Sequence, residues 1–260
     1  MTPALPAPFP PPGYRRLPLQ DREAIAWEPA VPAVREALAT APSLHAWAAR
    51  EGRTAARGRG TVYEATLGPA RVAVRHYRRG GWMAPLLRDR YLDSPPRPFR
   101  ELAVSEALRA AGVPTPRVVA AFVLRQRPGY RADLALEWLE PGHDLEPLLK
   151  PGAYPVEARA AALRAAGRAA GLAHRAGLDH PDLQLRNLFV RPLPDGSWDA
   201  FLLDLDKARI RPAAGAQTAR RALARLDRSL HKARAQGRIA WQETDRAALH
   251  AGHDEGLRGV

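Results

Sequence analysis

Cysteine is absent from this chain, which removes disulfide frameworks, thiolate nucleophiles and sulfur-based zinc sites from consideration. Lysine is nearly absent. Of 40 basic residues only Lys150, Lys207 and Lys232 are lysines, a general drift to arginine that bears on any site where a lysine is usual. No apolar run reaches the ~18 residues that a membrane-spanning helix needs, and the Pro-rich start does not resemble a signal peptide. A cytoplasmic protein is therefore expected. Zinc-finger spacing, RNA-recognition signatures and a helix-turn-helix pattern are all missing, so no specific nucleic-acid partner is expected either.

What is present in excess is positive charge. A net charge of +13 on 260 residues draws the chain towards polyanions, and anionic lipid qualifies as well as nucleic acid. That length buries a sizeable core and suits one two-lobed domain better than two independent ones.

The most informative stretch is His180-Pro181-Asp182-Leu183-Gln184-Leu185-Arg186-Asn187, followed seventeen residues after the Asn by Asp204 in Leu-Asp-Leu-Asp. Kinases place a catalytic Asp, a metal-binding Asn and a second metal-binding Asp in this order. The chemistry explains the residue types. Phosphoryl transfer to a hydroxyl needs hard oxygen ligands for magnesium and one carboxylate at the acceptor. Asp182 is the candidate for that carboxylate, and Asn187 and Asp204 for the metal. The runs Leu188-Phe189-Val190 and Phe201-Leu202-Leu203, separated by a Pro/Gly-containing segment, predict a hairpin that presents Asn187 and Asp204 at neighbouring strand ends. The competing reading is a surface turn with chance carboxylates.

Upstream, Gly58 and Gly60 stand at a turn leading into an alternating strand, as a phosphate-covering loop requires, although Tyr63 replaces the third glycine of G-x-G-x-x-G. Arg71-Val72-Ala73-Val74-Arg75 matches a kinase strand with arginine in the lysine position, making Arg75 the candidate phosphate clamp. A helix is predicted from Arg97 to Ala111; its Glu101 is the preferred partner for Arg75, with Glu106 as runner-up. Ala135 to Gly142 reads as a buried strand leaving into a Pro-Gly turn. Its position, at Glu137 and Leu139, is where a kinase hinge offers backbone groups to adenine.

With these residues in place, the segment Arg75-His76-Tyr77-Arg78-Arg79-Gly80-Gly81, continuing to Leu92, resembles that of 3-deoxy-D-manno-octulosonic acid (Kdo) kinases. Gly58-Arg59-Gly60-Thr61, Arg97-Pro98-Phe99-Arg100-Glu101, Gly112-Val113-Pro114-Thr115-Pro116 and Tyr130-Arg131-Ala132-Asp133-Leu134 resemble the same family in the same order, over about residues 55 to 235. The resemblance implies an α+β, protein-kinase-like bilobal fold, with a β-rich N-lobe (residues 51–139) and a mainly helical C-lobe (residues 140–260). It also implies ATP and Mg2+ as cofactors, phosphorylation of the 4-hydroxyl of Kdo on a lipid A precursor, and arginine at position 75. Two departures stand out. Gln184-Leu185-Arg186 replaces small polar residues, and Leu205 stands where an aromatic is usual.

Residues 1–50 read as a Pro-rich extension with helical stretches near Ala33–Ala39 and Ser43–Arg50; further helices are expected at Glu157–Ala176 and Ala219–Ala235. His174 reads as a packing residue and His180 as a brace for the catalytic loop. Asp206 reads either as a further metal ligand or as a residue holding the following turn. Arginines around Trp82, Met83, Leu86, Leu87, Tyr91 and Leu92 suggest an amphipathic helix on an anionic membrane surface, or apolar residues packed on the N-lobe. The function expected is phosphorylation of lipid-borne Kdo at the cytoplasmic membrane face. The alternatives are a kinase acting on another small molecule, such as an aminoglycoside, or on a protein, and a non-catalytic pseudokinase scaffold.

Overall fold

A computed structural model describes residues 5–56, 60–78, 89–211 and 216–259. The chain divides into two compact units, Met1–Glu106 with Arg117–Trp138, and Ala107–Pro116 with Leu139–Val260.

In the first unit, β1 (Tyr14–Pro18), β2 (Arg22–Trp27), β3 (Arg53–Ala56), β4 (Val62–Leu67), β5 (Ala70–His76), β6 (Val118–Arg125) and β7 (Tyr130–Glu137) make one seven-stranded sheet. The order is β1-β2-β6-β7-β5-β4-β3, with antiparallel pairing throughout. Successive side chains of a strand point to opposite faces, and here both faces are covered. Val72, Val74, Phe122 and Ala135 pack with Val34, Leu38 and Leu44 of helices α1 (Val31–Thr40) and α2 (Leu44–Glu51). Their neighbours Ala121, Val123 and Leu134 face the other way, onto Phe99 and Leu102 of α3 (Arg97–Ala110). This double burial is why β6 and β7 read as nearly continuous apolar runs.

The two helices expected before residue 51 are α1 and α2, the second capped by the Ser43 hydroxyl, which accepts from the Ala46 N–H at 3.1 Å. Strands β1 and β2 carry no readable alternation. In β1 only Tyr14 and Leu17 are buried, and Arg15, Arg16 and Pro18 are exposed, as suits a strand at the sheet edge. Residues 14–51 count with the first unit. Gly58 and the segment from Arg79 to Arg88, including Trp82 and Met83, lie outside the described residues.

In the second unit, α4 (Leu145–Leu148), α5 (Val156–Arg175), α6 (Ala216–Ala235) and α7 (Glu243–Arg258) accompany two small sheets. One contains β8 (His143–Asp144), β10 (Leu188–Pro192) and β11 (Trp198–Leu202); the other contains β9 (Leu178–Asp179) and β12 (Arg209–Ile210). The expected hairpin is β10–β11, in register from Leu188 opposite Leu202 to Pro192 opposite Trp198. Gly196 supplies the left-handed residue of its turn, at φ 83°.

Helices α5 and α7 touch backbone to backbone. A Cβ built on Gly167 falls 2.0 Å from the Leu249 carbonyl oxygen, and one on Gly252 falls 2.0 Å from that of Arg164. Beside this contact His174 and His253 are buried with Nδ1 of one 2.8 Å from Nε2 of the other. Such a bond needs one N–H and one lone pair, hence a neutral acceptor ring. Burial, with the neighbouring His253, Arg225 and His180, pushes the His174 imidazole down to about 3. His253 is lowered as well, chiefly by burial. At these two histidines the folded chain therefore binds fewer protons than the unfolded one below a pH of about 6.5. Stability should be fully present above that pH and fall by up to ~1.4 kcal/mol per unit for His174 as the pH drops towards its folded value. Urea melts at a series of pH values check this, and His174→Gln should flatten the dependence.

Candidate active site

The loop between β9 and β10 is shaped by its own alternation of apolar and polar residues. Leu183 and Leu185 are buried and anchor it, which leaves Asp182 and Arg186 exposed between and beside them. Asn187 closes the loop: its Nδ2 donates to the Asp182 carbonyl at 2.8 Å, and its backbone N–H donates to the Gln184 carbonyl at 2.9 Å. The Leu203 N–H in turn donates to the Asn187 carbonyl at 2.9 Å, tying the start of β10 to the segment that delivers Asp204. His180 completes the brace, its Nε2 lying 3.2 Å from the Leu203 carbonyl, while Arg225 of α6 donates to the His180 carbonyl at 3.1 Å. Burial holds the His180 ring below the ordinary histidine range, so it is a neutral donor here. The unusual Arg186 is accounted for by an ion pair, its Nε 2.5 Å from Glu146 Oε2.

Asp204 adopts φ 56°, the one described non-glycine residue with positive φ. Left-handed backbone is costly for a residue with a Cβ, and Asp tolerates it better than most. Its side chain is exposed, as is that of Asp182, whereas Asn187 is buried. The donor set fits a hard divalent cation. With Nδ2 committed to Asp182, the amide of Asn187 has its oxygen left for a metal, and Asp204 contributes a carboxylate. Magnesium typically takes one or two protein oxygens and completes its shell with phosphate and water. Among the described residues no group of three or more His, Asp or Glu forms a dedicated metal cage. Asp206 lies inside a turn closed by the Ala208 N–H on the Leu205 carbonyl at 3.0 Å.

In the first unit the structure pairs Arg75 with Glu101. Nη2 of Arg75 lies 2.6 and 2.7 Å from the two carboxylate oxygens, and the Tyr77 hydroxyl donates to Oε2 of the same Glu101. The guanidinium also lies 4.8 Å from the centre of the Tyr77 ring. Glu106, the runner-up, instead accepts from the Tyr14 hydroxyl at 2.8 Å. Glu101 is only 2% exposed, so removing the arginine strands a buried carboxylate. Arg75→Gln should cost about 2 kcal/mol, less than a fully buried pair because the arginine is partly solvated. The double variant with Glu101→Gln should recover most of that loss in a urea-melt mutant cycle.

The other expected positions are placed less tellingly. Gly60 precedes β4, and a Cβ there would make only ordinary contact with Arg78, 3.6 Å away, so nothing described demands a glycine. Glu137 ends β7 with its N–H donating to the Arg117 carbonyl at 2.8 Å and its side chain accepting from the Arg117 N–H at 3.1 Å. The Trp138 N–H is likewise taken by the Arg71 carbonyl. Leu139 begins the second unit's longer segment.

One cluster carries no role in the sequence reading. Asp133, 1% exposed in mid-strand, accepts from the His45 N–H at 2.8 Å and lies 2.5 Å from His76 Nδ1, whose Nε2 is 3.3 Å from Asp89. Burial opposes the imidazolium, but the two carboxylates outweigh it and raise His76 above the usual histidine value. A carboxylate between Ala132 and Leu134, within the buried stretch from Ala132 to Ala135, is the signal that marks it.

Comparison with known proteins gives the family and the fold. The profile of the lipopolysaccharide kinase (Kdo/WaaP) family matches residues 44–253. A protein of Vibrio vulnificus (strain YJ016) named 3-deoxy-D-manno-octulosonic acid kinase is 34% identical over 202 residues, 76% of this chain and 81% of its own. One of the same name from Stenotrophomonas maltophilia (strain R551-3) is 34% identical over 226 residues, 85% of this chain and 86% of its own. Among solved structures, that of WaaP in complex with acyl carrier protein superposes with a TM-score of 0.54 at 21% identity, covering 82% of each chain. This chain therefore belongs to the lipopolysaccharide kinase (Kdo/WaaP) family and is a kinase of α+β, protein-kinase-like fold.

Proposed function

We propose that this kinase transfers the γ-phosphoryl group of ATP to the 4-hydroxyl of a Kdo residue on a lipid A precursor, with magnesium, at the cytoplasmic face of the membrane. The observation that carries the reading is the closed loop in which Asn187 holds the Asp182 carbonyl and Leu203 holds Asn187, leaving the Asp182 and Asp204 carboxylates exposed. The name shared by the relatives supports the choice of acceptor. No described helix is long and apolar enough to cross a membrane, so association with a bilayer would be peripheral to these residues.

Each side chain has a task that its setting suits. Asp182, exposed on a loop fixed through its own backbone carbonyl, accepts a hydrogen bond from the sugar hydroxyl, orients it, and takes its proton as the new O–P bond forms. Asn187 and Asp204 are the residues that would hold magnesium, which when bound neutralises charge on the phosphate oxygens. Arg75 binds phosphate oxygens as a permanently charged donor and Glu101 holds its guanidinium in place. Roles for Gly58 and Gly60 over the phosphates, and for the backbone at Glu137 and Leu139 beside adenine, belong to the same reading.

The test offers γ-labelled ATP and magnesium to the purified protein with a Kdo-bearing lipid A precursor, an aminoglycoside or a generic protein substrate. Label should enter only the first. Label in either of the others would replace the acceptor assignment, and ATP left unconsumed with every acceptor would favour the scaffold reading.

A further inference from the structure

Helix α6 presents a cationic face that the catalytic reading does not use. Arg220, Arg221, Arg228, Lys232 and Arg234 are all exposed, and among the described residues none of them pairs with a carboxylate. At about 100° per residue, Arg220, Arg221, Arg228 and Lys232 fall within an arc of about 120°, spread over about 18 Å of helix. His231 lies in the same arc and is exposed too. The single acid of the helix, Asp227, lies about 20° beyond Arg220 at the edge of the arc and is engaged by α7, with His250 at 3.0 Å and Arg246 at 3.6 Å. The opposite face is buried through Ala222, Leu226, Leu230 and Ala233, and Arg225, on the flank between the two faces, donates to the carbonyl of His180 in the catalytic loop. One helix thus braces the active-site loop from its flank and offers an unneutralised row of cations to the outside.

We infer that this outer face of α6 docks the kinase on the phosphates of an anionic bilayer. The inference rests on the reading that the acceptor is lipid-borne, and gives that reading a surface. Charge complementarity identifies the occupant. High-affinity protein interfaces centre on Trp, Tyr or Arg anchors packed in desolvated surroundings, and between these cations the exposed face has Ala224, His231 and Ala235, with no large apolar side chain to pack around them. Single-stranded nucleic acid favours a series of aromatic platforms, and the helix has no Phe, Tyr or Trp and a single imidazole, His231. A plane of lipid phosphates needs neither, because each basic side chain near it adds about fivefold to binding without any shape requirement.

The experiment is co-sedimentation of the full-length chain with vesicles of phosphatidylcholine alone or mixed with phosphatidylglycerol, for the native protein and for Arg220→Gln/Arg228→Gln/Lys232→Gln. Circular dichroism melts check that the triple variant folds. The native chain should bind only the anionic vesicles, and binding should weaken as salt is raised. The triple variant should bind them on the order of a hundredfold more weakly, yet phosphorylate a water-soluble Kdo acceptor at the native rate. Equal vesicle binding by the two proteins would overturn the inference, as would a native chain that ignores anionic vesicles and binds an acidic protein or RNA through these residues. Should neither protein phosphorylate the soluble acceptor while vesicle binding still depends on the three cations, the docking surface stands and the acceptor assignment alone falls.

Discussion

Asp182→Ala is expected to lower kcat by about three orders of magnitude, within the range of general acid–base catalysis, while leaving the melting temperature unchanged. The two halves of that expectation have separate structural causes. The Asp182 carboxylate is exposed, so the fold loses little with it. What Asp182 contributes to the loop is its backbone carbonyl, the acceptor for Asn187 Nδ2, and a substitution of the side chain leaves that carbonyl in place. Asn187→Ala differs in kind. It removes both the amide oxygen proposed for the metal and the bond that closes the loop, so loss of activity there should come with local loosening. Labelled-phosphate transfer and thermal melts on the two variants separate the cases; native turnover in Asp182→Ala would remove the residue from the chemistry.

The largest expected effect on stability comes from a methyl group. Gly252→Ala would place its Cβ 2.0 Å from the Arg164 carbonyl oxygen, 2.7 Å from its carbonyl carbon and 2.9 Å from its Cα, all of them backbone atoms. Contacts this short cannot be relieved by a side-chain rotation, so α5 and α7 must separate. Gly167, Gly171 and Gly256 face equally close backbone, and the shift would reach the buried His174–His253 contact as well. A loss of about 4 kcal/mol is expected, at the upper end for single substitutions, against a gain of up to about 1 kcal/mol that Ala over Gly gives an unconstrained helix. Gly112→Ala is not a fair control because its φ is 74°; an Ala exchange at exposed Gln236 is better. Urea denaturation gives the comparison.

What could be read from the sequence was mostly short-range. The loop from His180 to Asn187 and the strands that follow are specified within about twenty-five residues of chain by an apolar-polar alternation, a turn and a few polar side chains. They fold as their spacing implies. The Arg75 to Glu101 pairing was legible for another reason: order in the chain fixed the strand and helix, and only one acid stood at the helix start. Helix α7 was not legible. Its two glycines weaken it as an isolated helix, and they make sense only once α5 is packed against them. Strands β1 and β2 were hidden by Arg, Glu and Pro; β1 is the edge strand, and β2, held between β1 and β6, gets from pairing what local preference does not supply. The link from Asp133 to His76 and His45 joins residues far apart in sequence: sheet register sets Asp133 opposite His76, and the packing of α2 brings the His45 N–H to it.

The measurement that bears most directly on the central claim is where the phosphate ends up. A Kdo-bearing lipid A precursor incubated with the kinase, ATP and magnesium should yield one ADP per phosphorylated lipid. Phosphorus–proton correlation by NMR should place the new phosphate on the 4-oxygen of Kdo. ADP formed without any phosphorylated sugar, or phosphate found on another group of the lipid, would contradict the account.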